Sequence, residues 1–470
     1  MASAPPDSGP GPVIPANPPA LDWLPGGSIN RQVFTLALPM LGEQFVNFLV
    51  GLVDTYLAGY VAKEATAAVG TGAYVGWFVT LAFSLIAVGS VAVVARSFGA
   101  RDLQTANRAL NQAVLIALGM GVVASAAVFT GTPAIAAFLT QTPTAGAMFI
   151  TYLRIDALSY TLYSVVLIGG GVIRASGDTR TPMAIMIVVN IVNLFVSAAL
   201  VFGWFTEPMG VAGIAIGTLV ARSLGGVLMA WTLIAGLRGL RLQLSRLRPD
   251  LHIIWRMLRV GLPAAADSAV MWVAQVAFIK IIAHTATGDA ATVNYAAHMI
   301  AIRMEAITYL PAAAWMTAAA TLVGQYLGAR RPDQAARAGH TAALQGGLLT
   351  TGVGIVFFIF AYQIYALMSS DPQVCAVGGS AFRWLAFVQP FLAAGIIYMG
   401  ALRGAGDTRW TMVFSLIGGL GLRVPLAYVG GIVLAAGLLG AWSGMIVDII
   451  ARFLMGFARF THGGWKRVRV

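Results

Sequence analysis

Long apolar runs, broken at short intervals by Arg, Gly and Pro, occupy the chain from residue 33 onward. Turn and charge signals bracket twelve of them, at 33–57, 66–95, 108–130, 149–172, 183–203, 211–235, 259–284, 292–322, 339–363, 380–401, 411–433 and 438–458. An α-helix needs roughly 20 apolar residues to cross a bilayer, whereas a barrel strand needs about 10. An open sheet would leave edge amides unpaired in lipid. The pattern therefore predicts an all-α polytopic membrane protein with twelve transmembrane helices.

Composition agrees. Hydrophobic residues make up 59% of the chain, charged residues 10%, and the mean hydropathy is +0.82. Soluble domains carry about 25% charge, so this chain cannot coat a globule of its size. The net charge of +12 does not indicate nucleic acid, because the basic residues are scattered between apolar runs. If both ends and every second loop are cytoplasmic, that side holds 21 Arg and Lys residues. The other side holds only Lys63, Arg154 and Arg383. By the positive-inside rule both termini are expected in the cytoplasm, and the chain in the inner or plasma membrane. Residues 1–28 hold eight prolines and no Lys or Arg, which predicts a disordered cytoplasmic tail, not a secretory signal. The single cysteine, Cys375, excludes an internal disulfide.

The chain also repeats. Arg174-Ala175-Ser176-Gly177-Asp178-Thr179-Arg180 returns as Arg403-Gly404-Ala405-Gly406-Asp407-Thr408-Arg409, 229 residues on. Gly99-Ala100-Arg101 returns as Gly328-Ala329-Arg330, and Arg154 as Arg383, at the same offset. Leu38-Pro39 with Glu43 returns as Leu262-Pro263 with Asp267 at offset 224, and Gly210-Val211-Ala212-Gly213 as Gly437-Leu438-Leu439-Gly440 at 227. Two pseudo-symmetric six-helix lobes are expected, 29–235 and 259–460, joined by an Arg-rich linker 236–258 and followed by a cytoplasmic tail 461–470. An even number of spans per repeat makes the lobes parallel, and transporters place substrate at such an interface.

These residues resemble the multidrug and toxic-compound extrusion (MATE) transporters over essentially all of 30–460. The resemblance rests on Leu38-Pro39, Gly51-Leu52-Val53-Asp54-Thr55, the Gly-Asp-Thr-Arg loop, Ala297-His298-Met299-Ile300-Ala301-Ile302-Arg303-Met304-Glu305 and Thr321-Leu322-Val323-Gly324-Gln325. It implies two lobes facing each other in a V, and export of small organic, often cationic, compounds in exchange for a proton or Na⁺.

Ionisable groups inside a span are costly and mark function by default. The candidates are Glu43, Asp54, Asp156, Asp267, Lys280, Arg303, Glu305 and Asp448. Asp54 leads, because it follows the run Phe48–Val53 with no basic residue nearby in sequence. A carboxyl withdrawn from water favours its protonated form, so such a group can load a proton on one side and lose it when the cavity rewets. The resemblance makes Asp54 the coupling residue, with Asn193, Ser197 and Thr218 around it, and Pro39 the point where helix 1 bends. Asn190 and Asn193 lie one turn apart on one face, and their oxygens suit a carboxyl or Na⁺. Na⁺ at Asp54 and Asn193 is one possibility and a proton the other. Ser197 stands where the proton-coupled branch often has Asp, which removes a two-carboxylate relay. Met271-Trp272 and Leu392 stand where the Na⁺-coupled branch has its C-lobe Glu and Asp, which argues against a C-lobe cation site and shifts the balance toward a proton.

Four further charges are candidates for the cavity. Lys280 is expected to pair with Glu305, either as a structural ion pair or as a stand-in for a bound cation in the C-lobe. Glu43 and Asp267, each four residues after a Pro, either line the cytoplasmic mouth or stabilise a helix N-terminus. Asp178 and Asp407 are expected to cap the helices that follow them. No phosphate loop, metal-site spacing or catalytic constellation is present, so neither an enzyme nor a resident cofactor or metal is expected. The expected partners are small organic substrates and the bilayer, without nucleic acid, for a monomer. A lipid-linked-precursor flippase is the alternative, and an ion channel fits less well because no filter loop or charged ring is seen.

Overall fold

The computed structural model describes residues 27–140, 142–468 and 470. The expected tail lies outside the described residues apart from Gly27 and Ser28. Among the described residues the chain is helical, with no strand beyond an isolated bridge between Leu237 and Leu240. The first half comprises α1 (Ile29–Val61), α2 (Lys63–Gly99), α3 (Leu103–Leu139), α4 (Pro143–Ala157), α5 (Tyr160–Ala175), α6 (Arg180–Phe202) and α7 (Gly210–Ala235). The second comprises α8 (Leu251–Ile282), α9 (Asp289–Gly328), α10 (Pro332–Ile359), α11 (Ala361–Met368), α12 (Pro372–Ala405), α13 (Thr408–Ser415), α14 (Val424–Tyr428) and α15 (Gly437–His462). Eleven segments are long and apolar enough to span singly, one of them Thr408–Val433, and the pair α4/α5 makes a twelfth, bent by 53°. Two stretches of the eleventh span, Leu416–Arg423 and Val429–Val433, are wound as π-helix.

The helices outrun the apolar patterns. The 40 residues of α9 reach about 60 Å at 1.5 Å per residue, twice the thickness of a hydrocarbon core. Helix α8 starts at Leu251 rather than 259, because Asp250 accepts from the amides of His252 and Ile253 and so caps it there. Three amide side chains of α3 then brace the shortened linker: Asn107 and Asn111 each exchange hydrogen bonds with it, and Gln112 bonds Arg248 and Asp250.

The repeat is visible in the backbone. Gly177 and Gly406 both sit at φ +87°, and Arg101 and Arg330 at +60° and +57°. Side chains resist this region, so the two halves build the same turns at corresponding points. Glu43 pairs with Arg174 at 2.6 Å, and its counterpart Asp267 with Arg403 at 2.5 Å. Both acids are buried and lie well inside their helices, so the helix-terminus reading fails. An adjacent arginine neutralises each, and Asp267 with its Arg403 lines the cavity of the second lobe. Asp178 caps α6 through the amides of Arg180 and Thr181. Asp407 does not cap: it pairs with Arg459 at 2.9 Å.

Each lobe's first helix begins against the other lobe. Val33, Leu36, Ala37 and Met40 of α1 pack with α9, α10 and α12, whereas Leu57 and Ala58 pack with α2, α6 and α7. Likewise Ile253 and Met257 of α8 pack with the first half, and Phe278 and Ile282 with the second. Pro39 and Pro263 sit at the two crossovers, where a missing amide loosens the helix.

The lobes meet at the Arg-rich end and part toward the other, giving a V. Lipid supplies no hydrophobic force between helices, so close contact relies on small residues. A Cβ on Gly99 would strike the carbonyl of Gln325, and one on Gly328 the carbonyl of Arg96, which is the same contact under the repeat. Gly89 faces the carbonyl of Met257, and Gly261 that of Leu85. Hydrogen bonds cluster at this end too, from Tyr326 to Gln32, from Gln325 to the carbonyl of Ala175, and from Arg96 to the carbonyl of Val468. The chain after α15 docks here through Trp465, which is buried and stacked on Phe460 at 4.6 Å.

Candidate transport site

The N-terminal site is assembled from helices that share a register. Helices α1 and α6 cross between the same two faces in the same direction. Asn47 and Asp54 are seven residues apart on α1, as are Asn190 and Ser197 on α6. Seven residues are nearly two turns, so each pair shares a face. Asn190 donates to the side-chain oxygen of Asn47 at 2.8 Å, which fixes the register and sets Asp54 near the level of Ser197. Thr218 of α7 donates to the carbonyl of Ile214 at 3.1 Å and accepts from Asn193 Nδ2 at 3.1 Å. Because its only proton is committed, Asn193 must turn its amide nitrogen to Thr218 and its oxygen away. That oxygen, and Oδ1 of Asp54, are buried without a donor among the described residues.

Ser197 is fully buried and donates to the carbonyl of Ile214 at 3.5 Å, beneath Gly217, whose missing Cβ makes room for it. Its visible work is the close packing of α6 on α7. Asn190, Asn193 and Thr218 are also buried, and Pro39 lies a helix-length away at the crossover.

Beside Asp54 stands a group that the sequence reading missed. Arg222 of α7 donates to Asp156 at 2.7 Å and to Ser159 at 3.1 Å, and lies 4.4 Å over the Tyr163 ring. Tyr160 donates to the other Asp156 oxygen at 2.8 Å. The bend between α4 and α5 falls between Asp156 and Tyr160, and brings Asp156 and Tyr163 onto Arg222 and Tyr160 onto Asp156.

The second lobe holds a cavity of about 670 Å³. Trp77, Trp272, Tyr309 and three methionines form its apolar wall, with Trp77 and Trp272 in contact across the lobes at 5.3 Å. Met271, Trp272 and Leu392 line it as uncharged groups. Arg423 and Arg452 reach it from behind, both bound to Asp448, which has no exposed surface. Arg423 closes the first π-helical stretch, and a Cβ on Gly418 there would strike the Asp448 carboxylate. π-Turns gather at functional sites. Glu305 lines the same cavity with no partner among the described residues.

The expected Lys280–Glu305 pair is not formed. Phe278 is fully buried, and Lys280, two residues and about 200° further round the helix, is exposed beside Val273 and Val276 in a separate apolar groove. Arg303 and Glu305 do diverge as expected, the first exposed and the second buried. Arg222, Arg423 and Arg452 are absent from the sequence-derived candidates, although all three fall inside expected spans. The rule that singles out buried carboxylates applies equally to arginine and would have found them.

Two repeated six-span lobes, with polar groups buried within the membrane-spanning region and a cavity in the second lobe closed on one side by Trp77 of the first, define a membrane transporter. The MatE family model matches residues 39–199 and 263–429. The chain is 29% identical over 440 residues to the probable multidrug resistance protein NorM of Thermotoga maritima, covering 93% of this chain and 94% of that protein. It is 27% identical to the multidrug resistance protein PmpM of Pseudomonas aeruginosa, covering 96% of each. A solved outward-facing multidrug resistance MATE family transporter of the MOP superfamily superposes with a TM-score of 0.86 at 22% identity, covering 94% of this chain and 98% of that one. The chain belongs to the MatE family.

Proposed function

We propose that the chain is a secondary active antiporter of the plasma membrane, exporting small organic cations in exchange for H⁺ or Na⁺, with its Arg-rich end in the cytoplasm. The observation that carries this reading is the pair of buried oxygens without donors, on Asp54 and Asn193. A buried acceptor left unpaired is costly. A proton on Asp54 or a Na⁺ bound between such oxygens removes that cost, which supports a cation site there. The proton is the simpler occupant, because it needs a single carboxyl.

Helix α1 couples this site to the lobe interface. It carries Asp54 in the N-terminal lobe and, beyond Pro39, the residues packed on the C-terminal lobe. A cation that binds one state better than the other shifts the equilibrium between them by that difference in affinity. The cavity beside Glu305 and the Trp77–Trp272 wall suits an aromatic cation, by charge and by cation–π attraction. A flippase is less favoured, since acids line the cavity together with the arginines. The relatives' names, multidrug resistance proteins, point the same way.

The test is ethidium efflux from proteoliposomes, driven separately by a proton or a Na⁺ gradient. Wild type is expected to respond to one gradient, and Asp54→Asn to fall to the level of empty vesicles. Efflux that survives the substitution would remove Asp54 from the mechanism. Glu305→Gln is expected to weaken ethidium binding about tenfold, ~1.4 kcal/mol, in a fluorescence titration, and unchanged affinity would place the substrate elsewhere.

A further inference from the structure

The N-terminal lobe gathers a charge cluster from four helices: Asp54 of α1, Tyr152 and Asp156 of α4, Tyr160 and Tyr163 of α5, and Arg222 of α7. With the tyrosines neutral, it contains two carboxylates and one guanidinium. It is therefore one positive charge short when both acids are ionised.

Geometry decides which acid the guanidinium serves. Asp156 holds Arg222 at 2.7 Å, Ser159 adds a bond at 3.1 Å, and Tyr163 stacks beneath the guanidinium. Tyr160 fixes the far oxygen of Asp156. Arg222 is thus fixed by three side chains, and its acid by a second donor. Asp54 receives no bond from Arg222, although the field of that arginine reaches it, and its Oδ1 remains buried and unpartnered.

We propose that Asp156 is a positioning residue that holds Arg222 off Asp54, and so keeps the Asp54 site open for one monovalent cation. Released from Asp156, the guanidinium is expected to turn to Asp54 and take the cation's place, since a buried charge left without its partner is strongly unfavourable. The bend between α4 and α5 is part of the device, because it brings Asp156 and Tyr163 onto Arg222 from either side of the break. The proposal rests on the reading of Asp54 as a cation site. It adds that the number of cations taken is set by the pair next door.

Charge counting gives a test that a purely structural ion pair would not pass. Removing Asp156 alone leaves no deficit, removing Arg222 alone leaves two, and removing both restores one. Cations are counted on the purified full chain as protons taken up on acidification in Na⁺-free buffer, and as tracer Na⁺ bound at fixed pH, each net of Asp54→Asn. Wild type is expected to take one, Asp156→Asn none, and Asp156→Asn/Arg222→Gln one again. Driven ethidium efflux should be lost and regained in the same order. A cation count in Asp156→Asn equal to wild type, a double variant that fails to regain the count, or a wild type that takes none would each overturn the proposal. If Asp156→Asn does not fold, Arg222→Lys, expected to keep a count of one, and Arg222→Gln, expected to raise it, carry the test with the double variant. A count that follows the charge arithmetic without driven efflux would reject the antiport reading and leave this proposal standing.

Discussion

Asp448→Asn is expected to destabilise the protein by about 3–5 kcal/mol, the range for removing one side of a buried ion pair. Asp448 has no exposed surface and serves two arginines. Its Oδ1 accepts from Arg452 Nε at 2.7 Å, and its Oδ2 from Arg423 Nε at 2.9 Å and Arg452 Nη2 at 3.0 Å. Asn offers one acceptor oxygen and no charge to two guanidinium groups whose side chains are 5% and 14% exposed, so neither can turn to bulk water. The readout is the thermal unfolding midpoint in detergent, with size-exclusion chromatography to confirm a folded chain. An unchanged midpoint would mean that Glu305, across the same cavity, takes over one of the arginines.

The asymmetry of buried ion pairs sharpens this result. Replacing all three partners by apolar residues of similar volume, as in Arg423→Met/Asp448→Leu/Arg452→Met, is expected to leave the midpoint close to wild type, because no charge is then stranded. The same variant removes the positive wall of the cavity. A stable triple variant with altered substrate preference would separate the cluster's two roles, folding the π-wound span and setting the charge of the cavity.

How far the chain could be read from its sequence depends on what each feature needs. Spans need only hydropathy, and the twelve runs correspond to the eleven single spans and the bent pair. Local offsets sufficed to find the repeat, which returns as paired turns at Gly177 and Gly406 and paired salt bridges at Glu43 and Asp267. Helix ends were less legible: the Asp250 cap that starts α8 was a local signal left unread, and the last turns of α9 are held by the opposite lobe, which no local pattern reports. The face of a residue within a span was harder still. Lys280 and Glu305 both looked buried, yet lipid tolerates apolar residues on every face of a helix, so hydropathy carries no phase there. Asp178 and Asp407 occupy equivalent loops, but the second is drawn into an ion pair with Arg459 of α15. The arginines at 222, 423 and 452 were legible as intramembrane charges. The i,i+4 spacing of Asp448 and Arg452 on α15 was legible as well, whereas the pairings of Arg222 with Asp156 and of Arg423 with Asp448 were not, because they depend on a bend and on a π-turn.

Gly261→Leu is expected to hold the Arg-rich ends of the lobes apart. A Cβ at 261 would meet the carbonyl of Leu85, and backbone cannot give way as a side chain can. One turn earlier, Gly89 faces the carbonyl of Met257 in the same way, so α2 and α8 touch through two successive turns without side chains between them. Relief requires the helices to separate, which is the movement that alternating access needs at this end. Overpacking of this kind costs about 1–3 kcal/mol, and the cost falls on the closed state alone. The balance between closed and open therefore shifts by roughly 5- to 150-fold toward open. Ala95 reports the change: it is fully buried in the seal, against Gly324. In a Cys375→Ser background, a thiol placed by Ala95→Cys should react slowly with a membrane-impermeant maleimide and roughly 5- to 150-fold faster when Gly261→Leu is added, while driven ethidium efflux is lost. The contact between Gly99 and Gln325 predicts the same outcome for Gly99→Leu. Unchanged labelling in both variants would show that the glycines do not form the seal, and that the lobes close through the hydrogen bonds of Gln32, Gln325 and Arg96 instead.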